Sequence, residues 1–160
     1  MRILFLDFDG VLNSRSCDFS AASGRPYLNP KMGQRLQQLC SETAARLVVV
    51  STWRVYLPFE QLQARLVECG VTAEVIGCTP DLLADSEVST IYLVGPYLRG
   101  KEVDWWLQHN GEDVSSYAIL DDVDDYGPRH KDRLILTDYA FGLQDSDVAL
   151  ARQKLLVDHA

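Results

Sequence analysis

Arg2-Ile3-Leu4-Phe5-Leu6-Asp7-Phe8-Asp9-Gly10-Val11 is the stretch on which the fold turns. Ile3 to Leu6 is an unbroken apolar run, the pattern of a buried strand. It leads into two carboxylates one residue apart, and a glycine follows at once. A strand of this kind carries charged oxygens to the carboxyl edge of a sheet, where open α/β folds place their chemistry. Side chains alternate along a strand, so Asp7 and Asp9 point the same way if the extended geometry continues. Two carboxylates so close repel each other unless a cation or a proton lies between them.

Two further apolar runs have the same form. Leu47-Val48-Val49-Val50 ends in Ser51-Thr52-Trp53-Arg54, and Tyr117-Ala118-Ile119-Leu120 ends in Asp121-Asp122-Val123-Asp124-Asp125. In a parallel sheet all three tips meet on one edge. Their hard oxygen groups favour Mg²⁺.

Between these runs the chain alternates strand and helix. Strands are expected at about 2–7, 46–51, 74–77, 117–121 and 134–136. Asn29 caps a helix that Pro30 opens and that carries Met32, Leu36, Leu39 and Cys40 at helical spacing. A second helix starts at Pro58, with Leu62, Leu66 and Cys69 on one face, and stops at Gly70. Gly100 to Asn110 and Asp145 to Val157 read as two more. Residues 79–98 read as an inserted hairpin or a loop. The alternation predicts a Rossmann-like three-layer sandwich, with a mostly parallel five-stranded sheet and helices on both faces. With 160 residues and no visible linker or repeat, the expectation is a single domain over 1–160.

Composition narrows the function classes. Hydrophobic residues make up 47% and charged residues 24%, an ordinary globular balance. No apolar run is long enough to cross a bilayer, and the apolar start breaks at Asp7, unlike a secretory signal. A cytoplasmic location is expected. The four cysteines form no CxxC pair, which argues against a zinc or redox motif. The formal net charge of −8 does not favour a nucleic-acid partner, although Arg15, Arg25, Arg54 and Arg99 leave room for a local basic groove.

These residue types suit phosphoryl transfer. Asp7 can be the nucleophile, and Asp9 can protonate the leaving oxygen and later activate water. Amides after Asp7 can bind phosphate oxygens where Gly10 permits a sharp turn. Ser51 can donate its hydroxyl to the phosphate, with Thr52 as a second donor and Arg54 nearby. Asp122, with Asp121 beside it, can hold Mg²⁺ opposite Asp7. Arg99 and Lys101 are the candidate cations, near a helix start whose amides add positive potential.

The DxDGV at 7–11, the strand plus serine at 47–51, the basic pair at 99 and 101 and the DD at 121–122 resemble the four motifs of haloacid dehalogenase-like (HAD) hydrolases. They occur in that family's order and span most of the chain. More narrowly, the STWR segment, the RGKEVDWWL helix, the ILDD strand and the closing TDYAFGLQDSDVALARQKL resemble the HAD domain found with Swiss Army knife RNA-repair proteins. The resemblance implies a Mg²⁺-dependent phosphatase with an aspartyl-phosphate on Asp7 and acid/base catalysis by Asp9. It implies metal ligands from the Asp7 side chain, the Asp9 backbone carbonyl and an aspartate of the last motif.

Two departures from the family pattern stand out. The third-motif lysine is ambiguous between Arg99 and Lys101. The last motif is a bare DD, which favours Asp122 as ligand with Asp121 in support and Asp125 as an outer group. The insertions at 13–29 and 79–98 are too short for a large cap domain. In the family an open cleft goes with macromolecular substrates, so the phosphorylated substrate is either small or a macromolecule such as a polynucleotide end.

The alternatives are a phospho-acceptor module and a HAD-like fold that binds a partner without turnover. A receiver places its acidic pair and its phosphorylated aspartate in the reverse order. A Toprim-type nuclease also reverses the acidic motifs. Of Trp105 and Trp106, one is expected in the core and the other at its rim. Arg129 to Arg133 reads as a solvated loop, and neither His109 nor His130 is expected to be catalytic.

Overall fold

The computed structural model describes residues 1–16, 27–84 and 96–157. In chain order the elements are β1 (Arg2–Leu6), α1 (Pro30–Thr43), β2 (Ala45–Val49), α2 (Trp53–Tyr56), α3 (Phe59–Glu68), β3 (Val75–Cys78), α4 (Leu98–Asn110), β4 (Ser116–Asp121), a 3₁₀ turn (Pro128–His130), β5 (Leu134–Leu136) and α5 (Asp145–Leu156). The strands form one five-stranded sheet in the order β3-β2-β1-β4-β5. Every pairing is parallel, so all carboxyl ends share one edge. This is the α/β architecture expected of a HAD-like core. No second domain appears among the described residues.

The period of two divides the core cleanly. Leu4, Leu6, Leu47, Val49, Ala118 and Leu120 pack on one face with residues of α1, α3 and α5. Ile3, Phe5, Val48, Val50 and Ile119 pack on the other, against Val103 and Trp106 of α4. Both faces of β1 and β2 are covered, which explains runs that are apolar at successive positions rather than alternating.

The helices follow their sequence signals. Asn29 Oδ1 accepts the Lys31 N–H at 2.8 Å, and Pro30 occupies the first turn of α1; a cap of this type contributes about 1 kcal/mol. Met32, Leu36, Leu39 and Cys40 are its buried stripe. Trp106 is buried in the core, and Trp105 is half-buried and stacks on His109.

The structure amends the sequence reading in three places. α4 starts at Leu98, two residues before Gly100, so Arg99 lies within its first turn. The short α2 and the 3₁₀ turn were not anticipated. His130 is not solvated: it is buried, with Nδ1 at 3.0 Å from the Tyr117 hydroxyl and Nε2 at 3.1 Å from the Gly100 carbonyl oxygen. Most of the two loop insertions, at 17–26 and 85–95, lies outside the described residues.

Candidate active site

The register of β1 and β4 brings the two acidic tips together. Leu6 lies opposite Leu120, and the Asp7 N–H donates to the Leu120 carbonyl at 3.0 Å. Asp7 and Asp121 therefore stand side by side, one step past that pair. Ile3, Phe5 and Ile119 face α4, and the period of two carries Asp7 and Asp121 to the same face. There they meet Arg99. Its Nη1 donates to Asp7 Oδ2 at 2.5 Å and also to Asp121 Oδ2. Tyr126 Oη donates to that same Asp121 oxygen, and the Val123 N–H donates to Asp121 Oδ1 at 2.8 Å.

Burial and crowding shape the electrostatics. Asp121 is fully buried; desolvation, followed by the charge of Asp7, pushes its pKa up to about 7 despite Arg99. Asp122 is raised by the same two causes. Burial works against the charge on Arg99, but Asp7 and Asp121 more than offset it and raise its pKa. Burial and the adjacent Asp121 carboxylate raise the Tyr126 phenol well above its ordinary value, so it stays a donor.

Asp7, Asp121 and Asp122 each present a carboxylate oxygen, and these atoms lie within 4.8 Å of one another. Anionic oxygens in this number suit a hard divalent cation. Gly10 makes the approach possible. Its φ is +71°, and a Cβ there would fall 2.4 Å from Asp122 Cγ.

The Asp9 carboxylate is not part of that cluster among the described residues. β1 ends at Leu6, so the extended geometry that would align Asp7 with Asp9 does not persist. Instead Asp9 Oδ1 accepts from Asn13 Nδ2 at 2.8 Å, and Oδ2 accepts from Trp53 Nε1 at 2.9 Å. Two donors on one carboxylate fix its orientation.

The remaining candidates separate clearly. Ser51 is buried at the tip of β2, and its Oγ accepts the Trp53 N–H at 3.3 Å. That bond uses the oxygen as acceptor, so the O–H is still a donor. Thr52 is exposed at the start of α2. Of the two candidate cations, Arg99 reaches the Asp7 and Asp121 carboxylates; Lys101, two residues on, is half-buried. Arg54 is turned away from the acidic cluster. It donates to the carbonyls of Val50, Ser51, Thr79 and Pro80 and to Glu102. A guanidinium so engaged has its donors committed, which departs from the phosphate contact expected of it.

Two expected anion donors are also engaged otherwise. The Phe8 N–H donates to Asp7 Oδ1 at 2.7 Å, and the Gly10 N–H donates to Asn13 Oδ1 at 2.9 Å. At the start of α4, the Arg99 N–H meets Asp125 Oδ2 at 3.3 Å and the Gly100 N–H donates to the Asp125 carbonyl at 3.0 Å. The first amides of that helix thus hold Asp125, as an outer group, rather than facing outward.

A family model described as the HAD domain in Swiss Army Knife RNA repair proteins matches residues 3–148. The chain belongs to this family. Among curated proteins none matches the chain. As a HAD domain with an acidic cluster at its carboxyl edge, it carries hydrolase-type chemistry. No helix among the described residues is long and apolar enough to cross a membrane.

Four residues of this HAD domain's site escaped the sequence reading: Asn13, Trp53, Glu102 and Tyr126. Asn13 and Trp53 are distant from Asp9 in type and gave no pattern. Glu102 had a signal, because it follows Arg99 by three residues and so shares its helix face. Tyr126 reaches back to Asp121 across the loop that follows β4, a contact with no local sequence signal.

Proposed function

We propose that this HAD domain is a Mg²⁺-dependent phosphomonoester hydrolase. The supporting observation is the convergence of Asp7, Asp121 and Asp122 on one point, with Arg99 bonded to two of them. Asp7 and Asp122 would hold the ion with Asp121 behind them, and the Asp9 backbone carbonyl is the further ligand that the family implies. Bound there, Mg²⁺ would neutralise charge between the carboxylates and the incoming phosphate.

The chain's own groups do the rest. An Asp7 oxygen attacks phosphorus as the bond to the leaving oxygen breaks, giving an aspartyl-phosphate. Asp9 gives its proton to the leaving oxygen. Asp9 then takes a proton from water, whose oxygen attacks phosphorus and releases phosphate, restoring Asp7. Asn13 and Trp53 hold Asp9 in one orientation through both steps. Ser51 donates to a phosphate oxygen, Thr52 is a second donor at the rim, and Arg99 stabilises charge on the transferring group.

The family description points the same site toward a polynucleotide end phosphate. A panel of 3′- and 5′-phosphorylated oligonucleotides, nucleotides, phosphopeptides, sugar phosphates and an aryl phosphate tests both levels. Turnover of any member with Mg²⁺, lost by at least about a thousandfold in Asp7→Asn, is the expected result. Inactivity on every oligonucleotide removes the polynucleotide reading. Inactivity on the whole panel leaves the binding module without turnover.

A further inference from the structure

Arg54 and Glu102 form an ion pair at 2.5 Å in which the side chains are only 7% and 3% exposed. A buried pair of this kind is weak evidence for stability, since well-packed apolar residues often replace one without loss. Its position is more telling. Arg54 ties together the ends of two strands, through the carbonyls of Val50 at 2.7 Å, Ser51 at 2.9 Å, Thr79 at 3.0 Å and Pro80 at 3.1 Å. Glu102 extends the tie to α4, and its other oxygen lies 3.4 Å from the Leu82 N–H. Arg99 sits three residues earlier, on the same helical face. On the far side, Asp125 holds the first turn of α4 through the amides of Arg99 and Gly100.

We propose that the Arg54–Glu102 pair is a positioning device for the reaction. It fixes the first turns of α4 against the tip of β2, so that Arg99 and Ser51 address the same phosphoryl group. Arg54 and Glu102 are positioning residues and touch no substrate. This inference rests on the phosphatase reading for its catalytic consequence, while its structural core, the dependence of Arg99 on Glu102, stands apart from it.

The test uses the full chain, p-nitrophenyl phosphate with Mg²⁺, and the side-chain N–H signal of Arg99 in a ¹⁵N spectrum, identified by its loss in Arg99→Lys. Glu102→Gln keeps the shape and removes the charge. The double variant Arg54→Met with Glu102→Met replaces the pair by apolar side chains and guards against a single variant that fails to fold. In each, kcat is expected to fall about tenfold or more with KM changed less than about threefold, because misplacement of a charge-stabilising group acts on the transition state. The Arg99 signal should shift, and the double variant should keep a Tm close to that of the parent.

Return of kcat to the parental value in the double variant along with its Tm would overturn the proposal, since the pair would then be structural alone. An Arg99 signal unmoved by Glu102→Gln would overturn it as well. If the parent protein hydrolyses no aryl phosphate, kcat is read on the best substrate of the panel; if it hydrolyses no member of the panel, the phosphatase reading fails separately, and the Arg99 signal still decides the dependence on Glu102.

Discussion

The acidic half of the site, built on β1 and β4, and the half built on β2 and β3 are each organised by one arginine. They use it differently. Arg99 reaches two carboxylates, Asp7 and Asp121, and sits where the charge of the site is concentrated. Arg54 reaches four backbone carbonyls and one carboxylate. An arginine held by carbonyls braces strand ends and cannot leave without moving them. An arginine held between carboxylates can exchange one oxyanion for another, because its planar fork suits carboxylate and phosphate alike. The same residue type is thus a brace in one half and an anion receptor in the other. Sequence position alone does not tell them apart, since both follow apolar stretches and both are basic.

The largest expected effect breaks the acidic half. Arg99→Met removes the cation bonded to both Asp7 and Asp121, and kcat on the best substrate of the panel should fall by about a hundredfold or more. Steady-state kinetics read this directly. A variant with parental kcat would show that Arg99 only balances charge.

Gly10→Ala attacks the same half through the backbone. The new methyl meets Asp122 Cγ at 2.4 Å, and φ is +71°. The expected loss is about 1–3 kcal/mol of stability from the strained backbone conformation, with weaker Mg²⁺ binding by calorimetry. The β2–β3 half should be untouched, and an unmoved side-chain N–H signal of Arg54 provides the control.

The smallest effect is in stability against pH. The ordinary aspartate value for Asp121 is 3.8, and in the fold it is raised to about 7. The folded chain therefore binds this proton more tightly than the unfolded one. The associated stability is complete below 3.8 and is lost as pH rises through about 7. A divalent cation takes the proton's role, so Mg²⁺ should raise Tm more at about pH 8 than at about pH 5. Equal shifts at both would place the ion elsewhere.

Much of the acidic half was legible in the chain because its signals are local. A buried strand ending in Asp-x-Asp-Gly, and another ending in Asp-Asp, needed only the rule that parallel strands share an edge. The choice between Arg99 and Lys101 was not legible: both lie in the first turns of α4, and it is the packing of that helix on the sheet that puts Arg99 against Asp7 and Asp121. The role of Asp9 was half legible. Its proximity to Asp7 in sequence suggested a shared cation, whereas the chain turns after Leu6 and delivers Asp9 to Trp53 and Asn13. The brace at Arg54 was hidden, because backbone carbonyls leave no trace in composition. Glu102 left a faint trace in its spacing from Arg99, but nothing local tied it to Arg54, and it is buried with its apolar neighbours Val103 and Trp106.

The most direct test of the central claim is to find where the phosphoryl group goes. Asp9→Asn, incubated with a ³²P-labelled aryl phosphate, whose leaving group departs without protonation, and Mg²⁺ and quenched in acid, should carry the label on Asp7 in peptide mapping, since the intermediate still forms and its hydrolysis is slowed. Label on Asp121 or Asp122, or no covalent label from a substrate that the parent protein turns over, would contradict a site built around Asp7.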